Sequence, residues 1–316
     1  MVVKSRLLLA VASALTLVLT ASAPMFGATR EAKPAPLRSG SLVRLKDMAA
    51  NGVSSKGPIV AVGYQETGNP GQLYIAFSTD GGQDYRRTNG NLRRYPVVGI
   101  PTLGMSVDVC AGRVWAATAY RGSTDKAGDS DVFLTSRTIG GGAAQALLTS
   151  TADDRRVRDV TVACVGGDLI AVGWLQQTGK KRTAQLLIRS IEPLGTTPSI
   201  KRTFSLGGAE LGSGLDIAAT PESVAVSFVR DGDLRIKRFG IGADNSISGE
   251  PLQTIAWNDV RFPEMAARGK RLVVAYSDAG KVRVKTSRDL GETFSGLRTL
   301  ANTGGIKNPS VPWSID

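Results

Sequence analysis

A chain of 316 residues with 37 glycines, 6% aromatic residues and a net charge of +12 is long enough for one large domain or two modest ones. Its apolar residues fall in short runs between glycine-rich turns, which excludes a helical bundle and favours many short strands. Histidine is absent, so Ser-His-Asp catalysis and histidine-based zinc chemistry are excluded.

The first residues, MVVKSRLLLAVASALTLVLTASA, carry basic Lys4 and Arg6, an apolar run from Leu7, and small residues Ala21, Ser22 and Ala23. That is the pattern of a secretory signal peptide over residues 1–23, and it implies a secreted, extracytoplasmic protein. The run also approaches spanning length, so an uncleaved anchor is the alternative. Residues 24–56 read as a flexible lead, and the folded domain is expected over 57–316. The positive charge suits anionic partners or surfaces such as acidic glycans, wall polymers or lipid headgroups. No aromatic-basic motif and no DNA-reading helix accompanies it, so nucleic acid is not an expected partner.

From Gly57 onward one short run recurs: GPIVAVGY, GRVWAATAY, GDLIAVGW, ESVAVSF and KRLVVAY. Their matched residues Ala61, Ala116, Ala171, Ala225 and Val273 give spacings of 55, 55, 54 and 48. An aromatic residue follows three places on at Tyr64, Trp174, Phe228 and Tyr276. Each run precedes a polar loop and a second alternating run (QLYIAFS, DVFLTSR, TAQLLIRSI, DLRIKRF, VRVKTSR) and follows a weaker one, such as MSVDVC or LDIAA. The unit is therefore an antiparallel meander of three or four strands. One such sheet leaves both faces unburied, so the copies must pack on one another. Radial closure into an all-β propeller of five or six four-stranded blades satisfies this and protects the edges. The tail IKNPSVPWSID (Ile306–Asp316) resembles the weak run that opens each unit. It either supplies the inner strand of the first blade or begins an incomplete sixth.

The segment SRDLGETF (Ser287–Phe294) follows the last alternating run, and STDGGQDY (Ser78–Tyr85) follows the first. SRDLGETF fits the Asp-box, or BNR repeat, Ser-x-Asp-x-Gly-x-Thr-Phe at every defined position. STDGGQDY matches at Ser78, Asp80, Gly82 and Tyr85 but has Asp84 in place of Thr. SRTIGG keeps Ser136 and Gly140 and has Thr138 where the Asp belongs. From about residue 57 to 303 the chain resembles the sialidase-like propellers that carry such boxes. The resemblance implies that the boxes lie between the third and fourth strands of a blade, away from any active site. Ser78, Asp80, Gly82 and Tyr85, with Ser287, Asp289, Gly291 and Phe294, are then structural turn residues.

Active members of that family resemble one another in an arginine triad, a Tyr-Glu nucleophilic pair and an Asp acid/base. Their N-terminal Phe/Tyr-Arg-Ile-Pro element has no counterpart in RLKDMAANGVSSKGPIV, and VRFPEM (Val260–Met265) sits too late. After Tyr120 only Tyr276 remains, at the aromatic packing position of the repeat. The reading is a binding module for a glycan or an extracellular protein; an exo-acting hydrolase of the sialidase type and a purely structural propeller are the alternatives.

By propeller logic the functional face comprises the loops joining second to third strands and one blade to the next. These include Gln65–Gln72, Tyr120–Asp131, Thr151–Asp159, Leu175–Arg182 and Trp257–Glu264. Candidate ligand-binding residues there are Arg158, Asp159, Trp257, Asp259, Arg261 and Glu264: arginine forks bind anions, and an indole stacks on a sugar ring. No cofactor is required by this reading. Asp125, Asp129 and Asp131 in DKAGDSD supply hard oxygen atoms of the kind calcium takes, without the glycine and distal glutamate of an EF-hand loop. Cys110 and Cys164 hold nearly equivalent places in neighbouring units, and in a secreted protein a bridge between adjacent blades is reasonable, with two buried thiols as the alternative.

Overall fold

The computed structural model describes residues 48–66, 73–82, 85, 94–97, 100–121, 130–138, 143–149, 155–166, 168–192 and 198–302. Among these residues there is no helix; the strands form five antiparallel sheets, the blades of a β-propeller. The first blade is β1 (Met48–Lys56), β2 (Ile59–Glu66), β3 (Leu73–Ser78) and β4 (Arg94–Val97). The second is β5 (Ile100–Cys110), β6 (Arg113–Arg121), β7 (Asp131–Thr138) and β8 (Ala143–Leu147). The third is β9 (Arg155–Gly166), β10 (Leu169–Thr178), β11 (Lys181–Ser190) and β12 (Lys201–Gly208). The fourth is β13 (Leu215–Thr220), β14 (Ser223–Arg230), β15 (Asp233–Ile241) and β16 (Ile247–Gly249), with β17 (Gln253–Ala256) also paired to β15. The fifth is β18 (Val260–Arg268), β19 (Arg271–Asp278), β20 (Lys281–Ser287) and β21 (Arg298–Asn302).

The repeated run is the second strand of every blade, and its burial explains its composition. In β14, SVAVSFVR, every residue but Arg230 is buried, because both faces meet a neighbouring blade. The outer strand β12, KRTFSLGG, is half solvated and correspondingly polar. Blade-to-blade cores follow in turn. Ala61, Ile75 and Phe77 pack on Val107 and Val114; Trp115 and Leu134 pack on Val162 and Ile170. Ala171 and Leu186 pack on Ile217 and Val226; Leu234 and Ile236 pack on Val274 and Tyr276. The glycine in GPIVAVGY and GDLIAVGW admits the next blade. A Cβ at Gly63 would lie 2.9 Å from Val107 Cγ1, and one at Gly173 would lie 2.8 Å from Leu215 Cδ2. Larger residues there would force the inner strands apart.

The innermost strands β1, β5, β9, β13 and β18 pack against one another in sequence and are laced by side chains. Asp108 Oδ1 accepts from Ser54 Oγ of the first blade at 2.6 Å, and its Oδ2 accepts from the Cys164 N–H of the third at 2.5 Å. Asp216 Oδ1 accepts from Thr161 Oγ1 of the third blade at 3.1 Å, and its Oδ2 accepts from the Met265 N–H of the fifth at 2.5 Å. Ser106 Oγ accepts from the Val162 N–H at 3.1 Å. Each of these two aspartates therefore holds three blades. A disulfide between Cys110 and Cys164, Cα–Cα 5.5 Å, joins β5 to β9 at one end of the same lacework.

Three sequence expectations change. The first blade supplies its own inner strand, β1, from Met48–Lys56, inside the stretch read as a lead; its alternation is broken by glycine and serine, which hid it. The tail is therefore not needed there, and Ile306–Asp316 lies outside the described residues, as does the segment Met1–Ala23. Thr151–Asp159 and Trp257–Glu264, read as loops, are strand from Arg155 and Val260 onward, because β9 and β18 extend past irregularities in their pairing with β10 and β19.

Candidate functional site

Hydrogen bonds between turns sort the connections into two ends. At one end the first-to-second and third-to-fourth turns meet: Gly81 N–H donates to Pro58 O at 2.7 Å, and Leu290 N–H donates to Lys270 O at 2.9 Å. At the other the second-to-third turns meet the blade-to-blade crossings. There Gly232 N–H donates to Glu210 Oε1 at 2.5 Å, and Val260 N–H donates to Gly232 O at 3.0 Å.

The turn Ser287–Phe294 belongs to the first end, between β20 and β21. Its hub is the serine. Ser287, 3% exposed, accepts the N–H of Asp289 at 3.2 Å and of Gly291 at 2.7 Å and donates to Asp289 Oδ1 at 2.6 Å. Thr293 then donates its hydroxyl to Asp289 Oδ2 at 2.5 Å and its N–H to Oδ1 at 2.9 Å. Gly291 sits at φ 92°, where a Cβ would meet Leu272, and Phe294 packs against the core between the fourth and fifth blades. Arg238 of the fourth blade reaches over to Glu292 of this turn at 3.2 Å and to Glu250 at 2.8 Å. In the first blade Ser78 repeats the hub, donating to Asp80 and accepting the N–H of Asp80 at 3.2 Å and of Gly82 at 3.0 Å. Tyr85 closes over it, its phenol pushed up by burial and by the Asp80 charge. Asp84 and Gly140 lie outside the described residues.

Hydroxyl donors, Ser287 first and Thr293 second, hold the Asp289 carboxyl well below the usual carboxylate range. A depressed folded value stabilises the protein above the unfolded value, about 4, and that contribution fades as pH falls toward the folded one. The urea midpoint of the native protein is therefore expected to exceed that of Asp289→Asn by a constant margin from neutral pH down to about 5, and by a shrinking one below about 4. A margin independent of pH would mean that the charge has no part in the turn.

The candidate ligand residues divide into two groups at the opposite end. Arg158 and Asp159 lie on β9; Trp257 and Asp259 lie between β17 and β18, with Arg261 and Glu264 on β18. The entry loop of the fourth blade lies between them. Asp159, at φ 49°, accepts the N–H of Gly212 at 2.9 Å and of Gly214 at 3.4 Å. From the other side Phe262 N–H donates to Ser213 O at 2.6 Å, and a Cβ on Gly214 would lie 2.8 Å from Phe262 Cα. Asp159, Asn258, Asp259 and Phe262 all hold positive φ, so backbone strain concentrates around this loop. Burial pushes the Asp159 carboxyl up, against the glycine N–H groups and Arg158, which lower it. Asp159 thus fixes the loop. Arg261 and Asp259 form an exposed ion pair at 3.4 Å, of the kind that contributes little. Trp257 is 62% exposed, with Lys285 Nζ 6.0 Å from its ring centroid.

A third group, drawn from the stretches Thr151–Asp159 and Leu175–Arg182 that the sequence places on the functional face, stands beside them. Arg156 and Arg182 flank Gln177 across β9, β10 and β11, and two strand spacings of about 4.8 Å separate them. Lys180 lies in the turn beside them and Lys181 opens β11, and all four cations are exposed. No described carboxylate pairs with any of the four, whereas Arg155, Arg230, Arg235, Arg238, Arg261 and Arg283 each have one. The run KKR was visible in the sequence; that β9 lies alongside it was not.

Tyr276 is 2% exposed between the fourth and fifth blades, and burial, then the Asp278 charge, pushes its phenol up to about 12. A group so placed is a packing residue. Asp131 is likewise committed: buried, it accepts from Thr149 Oγ1 at 2.5 Å and lies 3.8 Å from Arg155 Nη1. Asp125 and Asp129 lie outside the described residues, among which no cluster of three metal-ligating side chains occurs.

Comparison with protein-family profiles and with curated proteins finds no match. Among solved structures the chain is similar to the β-propeller domain of Myceliophteria thermophila Cps50 (Swd1), at 13% identity and TM-score 0.49, covering 80% of this chain and 74% of that one. It is similar to a neuraminidase-like protein of A/little yellow-shouldered bat, at 9% identity and TM-score 0.48, covering 81% and 84%. A third similarity is to Trypanosoma rangeli sialidase in complex with the inhibitor DANA, at 17% identity and TM-score 0.43, covering 67% and 40%. The chain spans less than two thirds of several other matched chains. The propeller assignment rests on the five sheets themselves.

Proposed function

We propose that the protein acts outside the cytoplasm as a binding propeller whose loop face takes an acidic glycan. The observation that carries this reading is the exposed cluster of Arg156, Lys180, Lys181 and Arg182, with which no carboxylate among the described residues pairs. Clustered cations repel one another and raise the local positive potential, which favours a polyanion. Arg158 adjoins the cluster, and Trp257 adds an exposed stacking surface on the same face. Sialidase chemistry needs a phenol that can ionise beside a bound sugar, and the buried, raised Tyr276 does not offer one.

The purified protein is expected to bind a sulfated or uronate polysaccharide and to release it as salt rises from about 0.05 M to about 0.5 M. Combined Lys180→Glu, Lys181→Glu and Arg182→Glu substitution is expected to weaken binding by about tenfold or more, with the fold intact. Equal binding to a neutral polysaccharide, or an unchanged affinity in the triple variant, would overturn the proposal. Binding to anionic vesicles without polysaccharide binding would replace it with a lipid surface, and turnover of a fluorogenic sialoside would replace it with an enzyme.

A further inference from the structure

Where the Asp289 and Asp80 turns lie, the inner strands of the first three blades leave an open cavity of about 400 Å³. Lys56, Ile59, Gly112 and Gly166 line it, together with both half-cystines, Cys110 and Cys164. The two sulfurs are not equivalent there. Cys110 is 1% exposed, whereas Cys164 is only partly buried and has Lys56 Nζ 3.7 Å from its Sγ. An ammonium beside a sulfur stabilises thiolate charge and draws an incoming anion.

We propose that this disulfide is a thiol-exchange site, at which a small anionic thiol forms a mixed disulfide with Cys164. The incoming thiolate sulfur bonds to Cys164 Sγ while the Cys110–Cys164 bond breaks. The bonding pair leaves on Cys110 Sγ, which takes a proton from water. The thiol is oxidised to the disulfide level and Cys110 is reduced to a thiol, so no other redox partner is required. Lys56 steers the anion and stabilises the negative charge shared by three sulfurs in the transition state. The strands need not part when the bond opens, because Asp108 accepts the Cys164 N–H and its own carboxylate is held by Ser54. The site therefore lets the protein carry a covalent adduct in this cavity without losing its blade order.

The test uses the full folded chain, acid-quenched after exposure to mercaptoethanesulfonate, 2-mercaptoethanol or cysteamine, with rates compared per thiolate. Peptide mapping is expected to place the adduct on Cys164. The anionic thiol should react about tenfold faster than the cationic one. Lys56→Gln should flatten that order and Lys56→Arg should keep it; Lys56 is exposed at a strand end, so both variants are expected to fold. Adducts on Cys110, equal rates for the three thiols, an order unchanged in Lys56→Gln, or two free thiols in the untreated protein would each overturn the proposal.

Discussion

Replacing Asp216 by alanine is expected to lower the unfolding free energy by about 3 kcal/mol, because its carboxylate ties three inner strands together. The carboxylate accepts Thr161 Oγ1 from the third blade and the Met265 N–H from the fifth, and hydrogen bonds to a charged acceptor contribute about 1.5–3 kcal/mol each. Alanine removes both bonds and leaves an inner-strand N–H without its partner. Asp216→Asn retains one carbonyl oxygen for two donors, so about half the loss is expected. Breaking the exposed Arg261–Asp259 pair with Arg261→Ala should by contrast shift stability by less than about 0.5 kcal/mol. Urea titrations of the three variants decide the matter. If Asp216→Ala unfolds within about 0.5 kcal/mol of the native protein, the inner strands are held by packing alone.

Cys110→Ala with Cys164→Ala is expected to be the most destabilising change, at about 4 kcal/mol in the chain-entropy description. The bridge spans a sequence separation of 54, so the loop it closes runs through β6, β7 and β8 and returns on β9. It thereby pins one complete repeat to the next in the unfolded chain as well as the folded one. For a domain of this size the loss corresponds to a fall in Tm of roughly 10 °C. The variant should remain folded, because the Asp108 bonds and the Trp115–Ile170 packing span the same blade boundary. Calorimetry of the double variant against the native protein measures it. A fall in Tm below about 2 °C would show that the oxidised loop has little freedom to lose.

These two predictions rest on contacts that sequence reading located only in part. The repeat of a buried second strand with glycine and an aromatic residue was legible, because burial on both faces forces apolar residues at every position and close approach forces glycine. The turn at Ser287–Phe294 was legible for a similar reason: its bonds are local, so Ser, Asp, Gly and Thr are fixed by spacing. Reading it as an aspartate motif named Ser287 as a turn residue but not as the buried hub, which accepts two N–H groups and orients the carboxylate. In the third and fourth blades Arg189 and Phe239 stand opposite Ile170 and Val224, where Ser287 stands opposite Leu272, so the hub is lost with its serine.

The candidate site was legible as a face and not as an arrangement. Loop positions follow from strand order, which placed Arg158, Asp159, Trp257 and Arg261 at one end. Whether they converge depends on how neighbouring blades lean together, and the entry loop Gly212–Gly214 keeps Arg158–Asp159 and Arg261–Glu264 on opposite sides. The sequence by itself determined the repeating strands, the propeller and the local turns, since each follows from periodicity or from bonds within a few residues. Only the tertiary structure decided that β1 completes the first blade, that Asp108 and Asp216 lace the inner strands, and that Arg156 stands beside Lys180–Arg182. Those facts depend on register between strands that lie far apart in sequence or face each other across a blade boundary, and no spacing along the chain encodes them.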